Sequence, residues 1–273
     1  MGFLTDLVGT IRRELDERPL PLEALDAAAR SRPPARSLRD ALRRATVPAV
    51  IAEVKRSSPS AGWIDADADP ASLARAYEAG GAAAISVLTE PRHFGGSLAD
   101  LRLVRAVAGI PVLRKDFLID PDQLVEARAA GADSVLLIAA CLDDGLLDRM
   151  LTATHALGME PLLEAHSDRD LERALATDAE IIGVNARDLQ TLDVDVPAAL
   201  GRLRSIPSGR VAVLESGIAS HDDVTAAVAA GASAILVGEA LMRAADPATA
   251  IAGLVREPGL AARRQNRDEE EIA

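Results

Sequence analysis

Eight short runs of aliphatic and β-branched residues begin near Val47, Ala82, Ile110, Asp133, Met159, Glu180, Arg210 and Ser233, at intervals of 21 to 35 residues. Such intervals hold a helix between successive strands, and parallel strands need a crossover of about that length. The segments between the runs open on side chains that cap helix N-termini: Asp69-Pro70, Ser97-x-x-Asp100, Asp120-Pro121, Ser167-x-x-Asp170 and Ser220-x-x-Asp223. They tend to close on glycine, at Gly80-Gly81, Gly131, Gly158 and Gly231. An internal echo supports the repeat: Ala79-Gly-Gly-Ala-Ala-Ala-Ile85, Ala130-Gly-Ala-Asp-Ser-Val135 and Ala230-Gly-Ala-Ser-Ala-Ile235 carry the same helix-end glycine and strand start. Strands such as Ser134-Val-Leu-Leu-Ile-Ala-Ala140 are apolar on both faces, as a parallel sheet covered on both sides requires. Eight units in about 210 residues predict an α/β fold, a single closed (β/α)8 TIM barrel, over an open doubly wound sheet. The lack of a G-x-G-x-x-G after the first run also argues against the open sheet.

Three segments follow. Residues 1–46 form an N-terminal helical extension, in which Phe3, Leu4, Leu7, Val8, Ile11 and Leu15 recur at helical spacing. Residues 47–255 form the barrel, and 256–273 a charged, frayed tail. With only three Phe, one Trp and one Tyr, the core has to be filled by small aliphatic side chains. The net charge of −12 argues against nucleic acid or an anionic membrane as partner. The longest apolar stretch, Val135 to Leu142, is too short to span a bilayer, and acidic Asp6 and Glu14 do not suit a targeting peptide. A single cysteine, Cys141, suits a reducing compartment, so a cytoplasmic globular protein is expected. Oligomeric state is not legible, because the outer helices of a barrel look alike whether solvated or paired.

Chemistry is expected where ionisable residues interrupt the aliphatic strands near their C-terminal ends, since burying such a group is costly. Period-two geometry puts Glu53 and Lys55 on the same face as Ile51, Lys115 with Leu113 and Phe117, and Glu164 with Leu162. Asn185 and Glu215 end two further runs. A lone carboxylate or lysine there reads equally well as a structural ion pair; six polar groups at five strand ends converge better on one catalytic face. Glycines after the seventh and eighth runs, in Ser216-Gly217-Ile218 and Gly238-Glu239, put backbone N–H groups where barrels commonly bind phosphate. Glu239 would oppose a bound dianion unless it points away. The loop from Arg56 through Trp63 to Asp69 is either a lid or an ordinary surface loop. His93, His155, His166 and His221 lack metal-ligand spacing, so neither metal nor cofactor is expected. No serine-nucleophile elbow occurs, and Cys141 lies in an apolar context.

Together, Ile51-Ala-Glu-Val-Lys-Arg-Ser-Ser-Pro-Ser60, Ser86-Val-Leu-Thr-Glu90, Phe94-Gly-Gly-Ser97, Val112-Leu-Arg-Lys-Asp-Phe117, Leu163-Glu-Ala-His166, Asn185-Ala-Arg-Asp-Leu189, Glu215-Ser-Gly-Ile218 and Gly238-Glu-Ala-Leu-Met242 closely resemble the indole-3-glycerol-phosphate synthase family. The resemblance runs from about residue 1 to 255. Ala61 and Ala186 depart from it where Lys and a second Asn are frequent. It implies a phosphorylated small-molecule substrate, 1-(2-carboxyphenylamino)-1-deoxyribulose 5-phosphate, which is ring-closed, decarboxylated and dehydrated. Lys115 is then the candidate general acid, Glu164 and Glu53 the bases, and Lys55 an acid and anion anchor. Asn185 and Glu215 would orient sugar hydroxyls and keep the lysines charged. Gly217, Gly238 and Glu239 would meet the phosphate, with Ser58, Arg187 and Ser216 nearby. Trp63, Phe94 and Phe117 would wall the aromatic ring. Two rivals are an aldolase or sugar-phosphate isomerase barrel, the aldolase using Lys115 or Lys55 as a Schiff base, and a non-catalytic phosphate-binding barrel.

Overall fold

A computed structural model describes residues 2–45 and 48–255. Eight parallel strands close into one barrel: β1 (Ala49–Val54), β2 (Ala84–Leu88), β3 (Val112–Lys115), β4 (Ser134–Ile138), β5 (Glu160–Ala165), β6 (Ile181–Asn185), β7 (Val211–Glu215) and β8 (Ala234–Val237). Each pairs with its neighbours in sequence, and β1 pairs with β8 through Ala49↔Ala234 to Ala52↔Val237. The expected barrel is therefore present. The first run's expected start, Val47, and the tail 256–273 lie outside the described residues.

Alternation sorts the side chains into two layers of core. Ala49, Ile51, Leu113, Leu136, Leu162, Ile181, Val211, Val213 and Leu236 point inward and fill the barrel. Their neighbours Val50, Ala52, Val112, Val135, Leu163, Ile182 and Leu214 point outward, against the helices. Helices that follow the strands begin where the caps predict. The Asp69 side chain accepts from the N–H groups of Ala71 and Ser72 at the head of Pro70–Ala79, and Ser97 accepts from Asp100 N at Leu98–Val107. Complete capping boxes hold Pro121–Ala130, Asp168–Leu175 and His221–Ala229.

Before the barrel come α1 (Phe3–Glu17), α2 (Leu22–Arg30) and α3 (Leu38–Arg44). α1 carries the helically spaced residues from Phe3 to Leu15 and buries Leu4 and Leu7. α3 packs against β1, β2 and β7, and its Leu38 and Leu42 are fully buried with the inward layer. Each such burial contributes roughly 1.5–3 kcal/mol. At the other end of the barrel, α1 is tied down by the Phe3 and Leu4 N–H groups, which donate to the Gln190 and Leu189 carbonyls at 3.3 and 3.1 Å. α1 thus reaches the mouth that the strand C-termini define. No helix among the described residues is long and apolar enough to cross a membrane.

Candidate active site

One cavity of about 380 Å³ opens at the C-terminal ends of the strands, a size suited to a small-molecule ligand. All six strand-end polar residues line it: Glu53, Lys55, Lys115, Glu164, Asn185 and Glu215. Ser58, Phe94, Phe117, Arg187, Ser216, Gly217, Gly238 and Glu239 line it as well. Strand periodicity accounts for the first group, because each sits an even number of residues beyond an inward aliphatic such as Ile51, Leu113, Leu162, Ile181 or Val213.

Lys115 is the centre of the charge arrangement. Its Nζ lies 3.2 Å from Glu164 Oε2 and 3.2 Å from Glu215 Oε2, while Lys55 Nζ lies 3.2 Å from Glu53 Oε1. The Lys115–Glu164 contact is aligned as a hydrogen bond; Glu215 is within ion-pair range but poorly aligned for one. Burial opposes the charge on Lys115, yet the negative charge shared among Glu164, Glu215 and Glu53 outweighs it and holds the ammonium above its ordinary range. Glu215 is 1% exposed. Burial pushes its carboxyl up from 4.5 to about 8, against the pull of Lys115 and with the nearby Glu164 adding to the rise. Lys115 points inward because its neighbours are fixed outside: Arg114 bonds Asp116 at 3.0 Å and Glu126 at 2.9 Å.

Several polar atoms here are buried without a hydrogen-bond partner among the described residues: Glu53 Oε2, Glu164 Oε1, both Glu215 oxygens, and Ser86 Oγ, beside Glu53 in the strand register. Native interiors hold few such atoms, and a cluster of them calls for a ligand or a catalytic role. Asn185 is oriented by accepting, through Oδ1, from Arg187 N at 3.0 Å, and its carbonyl is 3.0 Å from His166 Nδ1.

Two glycines make this packing possible, a contribution sequence reasoning missed. A Cβ at Gly183 would lie 2.2 Å from Glu215 Oε1, and one at Gly238 would lie 2.5 Å from Glu53 Oε1. An inward-facing glycine in a strand is the signal that could have found Gly183. Gly238, read only as an N–H donor, also makes room for a carboxylate. Past β7, Ser216 and Gly217 both adopt positive φ, 66° and 76°. They turn the chain sharply over the mouth, opposite Glu239, which opens the short helix Glu239–Met242. The Glu239 carboxylate accepts from Arg243 Nε at 3.0 Å, which occupies it along its own helix and leaves the helix's first N–H at the cavity edge.

The aromatic walls differ in part from expectation. Phe94 and Phe117 face each other across 6.2 Å in the cavity. Trp63 does not join them: it is 65% exposed, on the two-residue hairpin Ser57–Ser58/Gly62–Trp63, and leans on Gly95, where a Cβ would meet its ring at 2.8 Å. Phe3 of α1 takes the third place in the lining. An aromatic outside the barrel repeat carried no sequence sign of reaching the mouth.

Lysine–carboxylate pairs at the mouth of a (β/α)8 barrel, beside glycine loops after the last two strands, are the arrangement that acid–base chemistry on a phosphorylated ligand requires. A family model for indole-3-glycerol phosphate synthase matches residues 5–254. An indole-3-glycerol phosphate synthase of Beutenbergia cavernae is 49% identical over 257 residues, covering 93% of this chain and 95% of its own. One of Nocardioides sp. is 51% identical, covering 92% and 97%. The chain belongs to the indole-3-glycerol phosphate synthase family, carboxy-lyases of tryptophan biosynthesis. Among solved structures, a 3-hexulose-6-phosphate synthase aligns with TM-score 0.61 at 18% identity, over 76% of this chain and 97% of that one. A tryptophan synthase α-subunit from Pyrococcus furiosus aligns at 0.58 and 16%, over 76% and 98%. At those identities the likeness concerns the fold alone.

Proposed function

We propose that Lys115 drives indole formation as the general acid of ring closure, supported above all by its position between Glu164 and Glu215, 3.2 Å from each. The substrate is 1-(2-carboxyphenylamino)-1-deoxyribulose 5-phosphate. Its ring carbon bearing the carboxylate bonds to the ketone carbon as Lys115 passes a proton to the carbonyl oxygen. The carbon–carboxylate bond then breaks, CO2 departs, and its electron pair restores the aromatic ring. The new hydroxyl leaves as water with a second proton delivered through the Lys115–Glu164 pair. The Lys55–Glu53 pair removes a proton from the neighbouring methylene to complete the indole. Two protons enter and one leaves, so each turnover takes one from solvent.

Binding follows from the same lining. Phe94 and Phe117 hold the anthranilate ring, Phe3 closes the wall, and Asn185, Ser58 and Ser216 orient the sugar hydroxyls. Backbone N–H groups of Gly217, Gly238 and Glu239 take the phosphate, with Lys55 and Arg187 supplying positive charge. The enzyme works in the cytoplasm, as a barrel of residues 47–255 with a helical extension of residues 1–46 docked on it.

Lys115→Ala tests the assignment. Turnover should fall by about 10²–10⁴-fold with the fold intact, the range a positioned general acid supplies, and near-normal turnover would refute the role. Borohydride with substrate should trap no adduct on Lys115 or Lys55; a trapped amine would favour the Schiff-base rival.

A further inference from the structure

At the opposite face of the barrel from the mouth, four arginines line a second cavity of about 120 Å³: Arg32, Arg102, Arg105 and Arg128. They come from three places, the turn after α2, the helix Leu98–Val107, and the C-terminal end of the helix Pro121–Ala130. Such convergence in a chain of net charge −12 needs a reason. Capping of carbonyls accounts for part of it. Arg32 Nε and Nη2 donate to Ala129 O at 3.0 and 2.6 Å, and Arg128 donates to Ala132 O and Pro33 O.

The negative charge in reach is nearly spent. Asp133, fully buried at the start of β4, accepts from Arg36 N and Val112 N at 3.0 Å each and pairs with Arg105 Nε at 3.3 Å. Arg36 approaches the same carboxylate at 3.9 Å and so adds a fifth cation. Glu78, the other carboxylate acting on Arg36, is bonded to Gly109 N. Arg102 has neither ion pair nor hydrogen bond among the described residues. Burial is the main cause that lowers the affinity of Arg36 and Arg128 for their protons; Arg105 adds to it for both and Arg32 for Arg128, while Asp133 acts in the opposite sense. Gly131, at φ +102°, forms the floor: a Cβ there would sit 3.0 Å from Arg105 Cγ and 3.5 Å from Arg32 Nη1.

We infer that this cavity is a second anion site, separate from the mouth, that takes a phosphate-sized dianion between Arg32, Arg102, Arg105 and Arg128. Guanidinium groups with free N–H edges bind tetrahedral oxyanions through paired, charge-assisted hydrogen bonds. The occupant bridges the helical extension and two barrel helices without touching the acid–base residues.

Equilibrium dialysis of the full chain with labelled inorganic phosphate, against chloride at matched ionic strength, tests this. Arg102→Glu and Arg102→Gln are the variants, since that side chain holds no partner in place. The wild-type chain should bind one equivalent more than R102E, and R102Q should bind that equivalent about tenfold more weakly. Both variants should keep the wild-type melting temperature without phosphate, and wild-type turnover. Glycerol phosphate separates two sources of the group: binding equal to phosphate assigns the site to phosphomonoesters, and binding more than tenfold weaker assigns it to the free anion. Identical phosphate binding by wild type and R102E would overturn the site, as would wild-type binding that chloride abolishes at matched ionic strength.

Discussion

Gly183→Ala should disable catalysis while leaving the barrel folded. Gly183 is not among the residues of positive φ, so alanine meets no backbone strain there; the conflict is one of space. The added methyl would lie 2.2 Å from Glu215 Oε1 and 3.3 Å from its Cδ, with Leu162 Cδ1 at 3.4 Å on the other side. To restore ordinary contact the carboxylate must withdraw by about 1 Å, a displacement that costs on the order of 100-fold in rate when it misplaces catalytic groups. That corresponds to roughly 2.7 kcal/mol of transition-state stabilisation. Retreat of Glu215 also loosens its 3.2 Å contact to Lys115. Overpacking costs roughly 1–3 kcal/mol of stability, too little to unfold a barrel of ordinary stability. The assay pairs turnover, followed by indole fluorescence, with circular dichroism and a thermal melt of the same sample. Gly201→Ala is the control: its Cβ meets nothing within 4 Å in the helix Val196–Leu203, so it should gain up to about 1 kcal/mol with activity unchanged. A folded Gly183→Ala enzyme with turnover within threefold of wild type would refute the reasoning.

The raised carboxyl of Glu215 makes stability depend on pH. Between about pH 4.5 and 8 the native protein holds a proton that the unfolded chain has released, so stability falls as pH rises through that window, by at most roughly 1.4 kcal/mol per pH unit. Glu215→Gln should flatten that fall in denaturant melts from pH 5 to 9; parallel wild-type and variant profiles would exclude it. Phe94→Ala should raise KM about tenfold with kcat little changed, because the ring contacts substrate in ground and transition states alike. Trp63→Ala, on an exposed hairpin, should leave KM within twofold; a larger rise in steady-state assays would return that ring to the pocket wall.

Most of the barrel is legible in the sequence because parallel strands buried on both faces stay aliphatic until the catalytic layer begins. The ionisable residues at Glu53, Lys115, Glu164 and Glu215 break that rule, and the structure gathers all of them in one cavity. What escaped is what depends on shape in three dimensions. Gly183 looks like any strand glycine until Glu215 is seen folded over it. Phe3 reaches the mouth only because α1 docks through Gln190 and Leu189, contacts no local pattern encodes. Trp63 misled for the opposite reason, since a place after the first strand fixes its end of the barrel but not whether the ring turns inward. The arginines around Asp133 come from segments some 70 to 95 residues apart at the extremes, and only the folded chain joins them.

Incubating the purified chain with 1-(2-carboxyphenylamino)-1-deoxyribulose 5-phosphate, while following indole fluorescence and evolved CO2, tests the central claim most directly. One indole and one CO2 should appear per substrate consumed, and Lys115→Ala should suppress both together. Folded wild-type protein that yields no indole fluorescence, or indole formation undiminished in Lys115→Ala, would contradict the account.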